Sequence, residues 1–174
     1  MKLTAHSLTV DSFVPMLTSL SQWLDKGFAQ KGTEIDLVNA RLAPDMFTLA
    51  QQVQQACRYA TDGAARLCGR PAMAMEAAQT TPDGINAQIA HAIDLIGSLA
   101  ASEFEGAEDR DCSIDIPGDR VIEMNGYRFL TAWSLPHFYF HVVTAYDILR
   151  HSGVAIGKFD YLSQVGAFIR PKPA

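Results

Sequence analysis

The residues with the most chemical content are His137 and His141, in the run His137-Phe-Tyr-Phe-His141. A spacing of four puts both imidazoles on one face of a helix, one turn apart. A helix offers two nitrogen ligands to a single metal ion in this way. Thr144 and Ile148 continue the same face. His151 lies off to one side and nearly three turns further along. Two histidines do not complete a site, because a catalytic metal usually takes three protein ligands and keeps a position for water or substrate. A neighbouring helix would supply the third. Asp45, Thr48, Gln52 and Gln55, at spacings of three, four and three, form a polar stripe beside an apolar face. Asp45 is the strongest donor among them, and Gln52 is the other position angled towards the core. The competing reading is that both histidines are neutral core residues, hydrogen-bonded to a carbonyl or hydroxyl.

Other chemistries find little support. The chain contains no HExxH, no CxxC, no phosphate loop, no serine triad and no dinucleotide fingerprint. Tyr139 and Tyr146 share the opposite side of the last helix and read as packing or interface aromatics. Trp23 and Trp133 read as core, His91 as solvated, and the acidic run 103–111 as a loop. Cys57 and Cys68 are eleven positions apart on one helix, roughly 16 Å, too far for a disulfide. Cys112, in a polar stretch, reads as exposed. Three cysteines leave at least one unpaired, which fits a reducing cytoplasm. The opening residues are too polar for a secretory signal, so a cytoplasmic location is expected. With 14 basic against 19 acidic residues and a net charge of −5, the chain is not expected to bind nucleic acid. The apolar stretch 129–149 matches a bilayer in length but is interrupted by Pro136, His137, His141 and Asp147, so no membrane span is expected.

The elements that must position the histidines follow from periodicity. A length of 174 residues suits one domain, spanning 1–174, and 48% hydrophobic against 19% charged residues argues against disorder. The first helix is expected over about 4–31, with Pro15 bending it or moving its start to Asp11. A connector over 32–43 leads to a second helix that begins at Pro44 and stops at Gly69-Arg70-Pro71. Residues 70–80 show no clear period. Thr81-Pro82-Asp83 opens a third helix. Ile114-Asp-Ile116, the turn Pro117-Gly118-Asp119, and 121–124 read as a small hairpin. The last helix should run from about 126 to 152, kinked near Pro136 and stopped by Gly153. It is apolar nearly all round, which expects a central position or a partner's cover, hence a homodimer. Residues 154–174 are expected to form a partly ordered tail. Four such helices indicate an all-α four-helix bundle with a small β-hairpin inserted before the last helix.

A family resemblance runs through most of the chain. Its motifs are Asn39-Ala-Arg-Leu-Ala-Pro-Asp-Met-Phe47 with Gln52-Val-Gln54, Phe104-Glu-Gly-Ala-Glu-Asp-Arg110, Leu135-Pro-His-Phe-Tyr-Phe-His141, Thr144-Ala-Tyr146 and Ile148-Leu-Arg-His-Ser-Gly153. Together they resemble a mostly bacterial domain-of-unknown-function family and are similar to the DinB/YfiT-like superfamily of metalloenzymes. The resemblance implies a four-helix bundle, often dimeric. It also implies a divalent metal held by three histidines, one from the second helix and two from the last, and in some relatives thiol-dependent group transfer. His137 and His141 match the last-helix pair, whereas the second-helix histidine has no counterpart here. The expectation is therefore a divalent-metal (Zn²⁺ or Ni²⁺) or small-ligand site between the second and last helices. It would be built from Asp45, Gln52, His137 and His141, with Asp45 as third ligand. The alternative is a non-enzymatic dimeric helical module that binds a ligand or partner.

Overall fold

A computed structural model describes residues 3–33, 35–71, 73 and 77–172. The expectations for 70–80 and for the tail therefore lie, at positions 72, 74–76, 173 and 174, outside the described residues.

The protein is mostly helical. Four long helical stretches carry the core: α1 (Ala5–Lys31), α2 (Leu49–Leu67), α3 (Pro82–Gly97), and a last stretch divided into α4 (Gly126–Arg128), a π-helical turn (Phe129–Ser134) and α5 (Leu135–His151). Before α4 stands one antiparallel hairpin, β1 (Asp111–Ile116) with β2 (Arg120–Asn125). α2 packs against α5 and α3, and α1 packs against α3 and α5. Between them lie the largest fully buried side chains, among them Trp23, Phe13, Phe129 and Phe138.

Local signals explain most boundaries and correct two of them. Thr4 caps α1, and the Ser7 side chain answers its backbone N–H, so the helix starts well before Asp11. Pro15 lies within α1 and does not end it. The second helix does not begin at Pro44. Ala43, Pro44, Asp45 and Met46 form a turn closed by Met46 N–H on Ala43 O at 3.0 Å, the role proline takes at the second position of a turn. α2 starts at Leu49, where Thr48 caps Gln51 N–H at 3.3 Å and Gln51 Oε1 accepts from Thr48 N–H at 2.9 Å. This reciprocal cap satisfies two otherwise unpaired donors and outweighs a lone proline.

The hairpin is longer than its sequence suggests. Ile114 faces Ile122 and Cys112 faces Met124. The turn uses Gly118 at φ +85° and Asp119 at φ +52°, both left-handed. Its inward row starts at Cys112, which is buried and not exposed as expected. All three cysteines are free thiols. Burial pushes the Cys112 thiol up, so it stays protonated at neutral pH.

Residues 154–163 pack on the helices. Val154 and Ile156 are buried, and α6 (Lys158–Tyr161) lies on α1. Trp23 Nε1 donates to Asp160 O at 3.0 Å, Trp23 stacks on Tyr161 with ring centres 5.4 Å apart, and Ser19 and Ser163 share a hydrogen bond of 2.8 Å. Lys26 pairs with the Asp160 carboxylate.

Candidate functional site

The site forms where α2 packs against α5 and the π turn before it. Gly63 makes this approach available: a Cβ there would stand 2.1 Å from Ser134 Oγ. Ser134 Oγ instead donates to Tyr59 O at 3.0 Å, tying the π turn to α2. The π turn in turn reflects Pro136, which has no N–H to give the helical ladder. The widened turn before it, with Leu135 N–H bonded back to Leu130 O, takes up the mismatch. The expected kink near Pro136 therefore takes the form of a π turn. Such turns often occur at functional sites.

Both imidazoles end up against the polar row of α2, and each is anchored through Nδ1. His141 is 7% exposed, and its Nδ1 lies 2.8 Å from Gln52 Oε1. Gln52 is buried, and its orientation is set at the other end, where Nε2 donates to Phe47 O at 3.4 Å. With the amide oxygen facing the ring, His141 must carry its proton on Nδ1. Burial, then the charge of His137 and then that of Arg58, lowers the His141 pKa from 6.5 to about 4. At pH 7 the ring is neutral. His137 is half-buried, and its Nδ1 lies 2.8 Å from Trp133 O. A carbonyl only accepts, so Nδ1 donates here too. Neither Nε2 has a hydrogen-bond partner among the described residues. Neither is among the buried orphan atoms, which are Gln88 Oε1 and Gln164 Oε1, so solvent reaches both.

One residue of the site escapes the spacing argument. Tyr59 lies seven positions after Gln52 and continues the Gln52–Gln55 row by one turn. Its ring stacks on His137 at 4.4 Å and on His141 at 5.5 Å, nearly parallel to both. The row reads polar only as far as Gln55, and an extension to +7 is the signal that would have found it. Phe47 and Phe140, both largely exposed, flank His141.

Asp45 does not join them. It sits in the exposed turn ahead of α2, outside the helix that was to carry it. Among the described residues, no group of three His, Cys, Asp or Glu side chains could hold a metal ion. The anchored Nδ1–H groups are what metal-ligating histidines usually show. The donor set nevertheless stops at two nitrogens, short of what Zn²⁺ or Ni²⁺ requires. As it stands, the pair can accept two hydrogen bonds from a donor-bearing molecule laid against an aromatic wall.

The fold, mostly helical with one small antiparallel hairpin, is consistent with a DinB-like protein. The chain is similar to the crystal structure of a DinB family member protein from Shewanella denitrificans, with 35% sequence identity, 97% of this chain and 94% of the other covered, and a TM-score of 0.82. Residues 5–162 match the domain of unknown function DUF1993, and the chain belongs to that family. No curated protein matches it. Among the described residues no helix is long and apolar enough to cross a membrane.

Proposed function

We propose that the four long helices form a DinB-like bundle that serves as a small-ligand-binding module. Its site lies between α2 and α5, and His137 and His141 act there as hydrogen-bond acceptors. The observation that supports this is the tautomer: both Nδ1–H groups are engaged, which leaves both Nε2 lone pairs as acceptors, on rings that stack against Tyr59. Gln52 holds the deeper ring in place. On this reading a resident Zn²⁺ or Ni²⁺ is not required, because Asp45 stands outside the cluster and no other acid, thiol or imidazole completes it among the described residues.

Titration of Zn²⁺ and of Ni²⁺ tests the reading. Protein purified without a histidine tag is titrated in a calorimeter and compared with the His137→Ala/His141→Ala double variant. Weak binding below one equivalent is expected for both metals. A full equivalent held at micromolar affinity, lost in the double variant, would show that a metal is the ligand. Metal at 100 times its dissociation constant would also stabilise the fold by about 2.7 kcal/mol, and no such gain is expected.

A second reading, that two copies associate, is favoured by the outer side of α5, where Phe140 is 58% and Val143 39% exposed. Light scattering at micromolar concentration is expected to give twice the chain mass, and a monomer removes this reading.

A further inference from the structure

A cavity of about 500 Å³ opens where the start of α1 meets the Phe104–Arg110 stretch and α4. It is remote from the histidines: Leu67, which borders it, lies fifteen residues after Gln52 on α2, roughly 22 Å along the helix. Its floor is apolar, with Leu8, Leu67, Phe104 and Leu130, and its wall carries the exposed carboxylates Glu105 and Glu108. Neither joins an ion pair among the described residues, where the pairs are Lys26–Asp160, Arg66–Asp62 and Arg70–Glu103. Two guanidinium groups stand nearby, but that of Arg110 donates to the carbonyls of Leu67 and Glu105, and that of Arg128 lies over the Tyr127 ring.

The C-terminal segment is aimed at this cavity. α1 and the last helical stretch run side by side in the same direction, since Phe13 meets Phe138, Trp23 meets Tyr146, and Leu8 and Leu130 both border the cavity. Asp160 is bonded to Trp23 and Ser163 to Ser19, so the chain descends α1 towards its start. Ala5, Leu8, Ser12, Ser19 and Trp23, at spacings of three, four, seven and four, share that face. The 3₁₀ helix Ser163–Phe168 follows, and beyond it Phe168 and Ile169 are 77% and 70% exposed. The charges of Arg170 and Lys172 meet no carboxylate among the described residues, and Gln164 Oε1 is buried without a partner. A buried acceptor left unmade disfavours the present seat of the segment.

We propose that the cavity is the docking site of the chain's own residues 168–172: Phe168 and Ile169 enter the apolar floor, and Arg170 and Lys172 pair with Glu105 and Glu108. The reach is sufficient. Ser19 and Leu8 are roughly 16 Å apart along α1. The five steps from Ser163 to Phe168 advance roughly 10 Å as 3₁₀ helix and roughly 16 Å when straightened, and so short a 3₁₀ helix is weakly held. Closure removes two large apolar side chains from water and brings two cations to two unpaired anions. The proposal is independent of the histidine site.

Nuclear Overhauser contacts in the full chain test it, with leucine methyls labelled. At about 0.01 M salt, where charges act over roughly 30 Å, the Phe168 ring is expected to contact the methyls of Leu8, Leu67 or Leu130. Arg170→Glu/Lys172→Glu, two exposed changes whose thermal midpoint should match the wild type, should lose these contacts. Adding Glu105→Lys/Glu108→Lys should restore them. Absence of the contacts in the wild type overturns the proposal, and so does their persistence after the charge reversal. Contacts that appear only between differently labelled chains in a mixed sample would assign the cavity to a second copy and overturn it equally.

Discussion

Acidification from pH 7 to pH 4 is expected to remove about 3 kcal/mol of folding stability through His141 alone. The folded-state pKa is about 4 against an ordinary 6.5, chiefly because the ring is buried and secondarily because the charges of His137 and Arg58 oppose its protonation. Between those two values the unfolded chain binds a proton that the folded protein refuses. Stability therefore rises with pH across that window: the neutral ring's contribution is complete above pH 6.5 and gone near pH 4. Urea unfolding at pH 7, 5.5 and 4 measures it. His141→Gln keeps a hydrogen-bonding side chain but cannot titrate, so its stability should be nearly flat over the same range. Below pH 4 both proteins should weaken together, because other groups titrate there. Asp160, whose carboxyl is held low by its hydrogen bond from Lys26, loses that bond when protonated. A slope between pH 6.5 and 4 that persists in His141→Gln would place the titration on another group.

Gly126→Ala should destabilise the protein by at least about 3 kcal/mol, the largest effect expected of any single methyl added here. A Cβ at this position would lie 1.8 Å from the carbonyl oxygen of Ala107 and 3.1 Å from a methyl of Leu67. A backbone carbonyl cannot rotate away as a side chain does. Ala107 is itself confined: Tyr127 N–H bonds to Glu108 O at 2.9 Å, and Arg110 donates to Leu67 O and, at 3.2 Å, to Glu105 O. This gives the Phe104–Arg110 stretch a structural role, as the buckle between the C-terminus of α2 and the start of α4. The gain in helix propensity from glycine to alanine, about 1 kcal/mol, is too small to offset the clash. Chemical denaturation reads the difference, and a variant within about 1 kcal/mol of the wild type would mean that the loop yields easily.

The sequence spoke clearly where one local signal stood unopposed. Thr81-Pro82 opens α3 as expected, and the spacing of His137 and His141 puts both rings on the α2 side of the last helix, with Gln52 opposite. Asp45 was misplaced because two start signals competed. Pro44-Asp45 looks like a first turn, yet Thr48 and Gln51, three residues apart, carry the stronger reciprocal cap. The polar neighbours of Cys112, Asp111 and Ser113, suggest exposure. In a strand the neighbours point the other way, and Cys112, Ile114 and Ile116 share a face. The order of the final segment depends on contacts with Trp23, 137 residues away from Asp160 along the chain, and no local pattern carries that. The π turn is likewise not written in the local pattern. Pro136 reveals that the ladder must break there but not how.

The state of the two imidazoles at pH 7, read from their nitrogen resonances by NMR, bears most directly on the site. Pyrrole-type Nδ1 and pyridine-type Nε2 signals are expected for His141 and for the neutral form of His137, with His141 remaining neutral down to about pH 4. Replacement of Gln52 by Leu should release the His141 tautomer while leaving His137 as it was. An Nε2–H tautomer in the wild type, or a His141 already protonated at pH 6, would contradict the account: the lone pairs it assigns to a ligand would not be there.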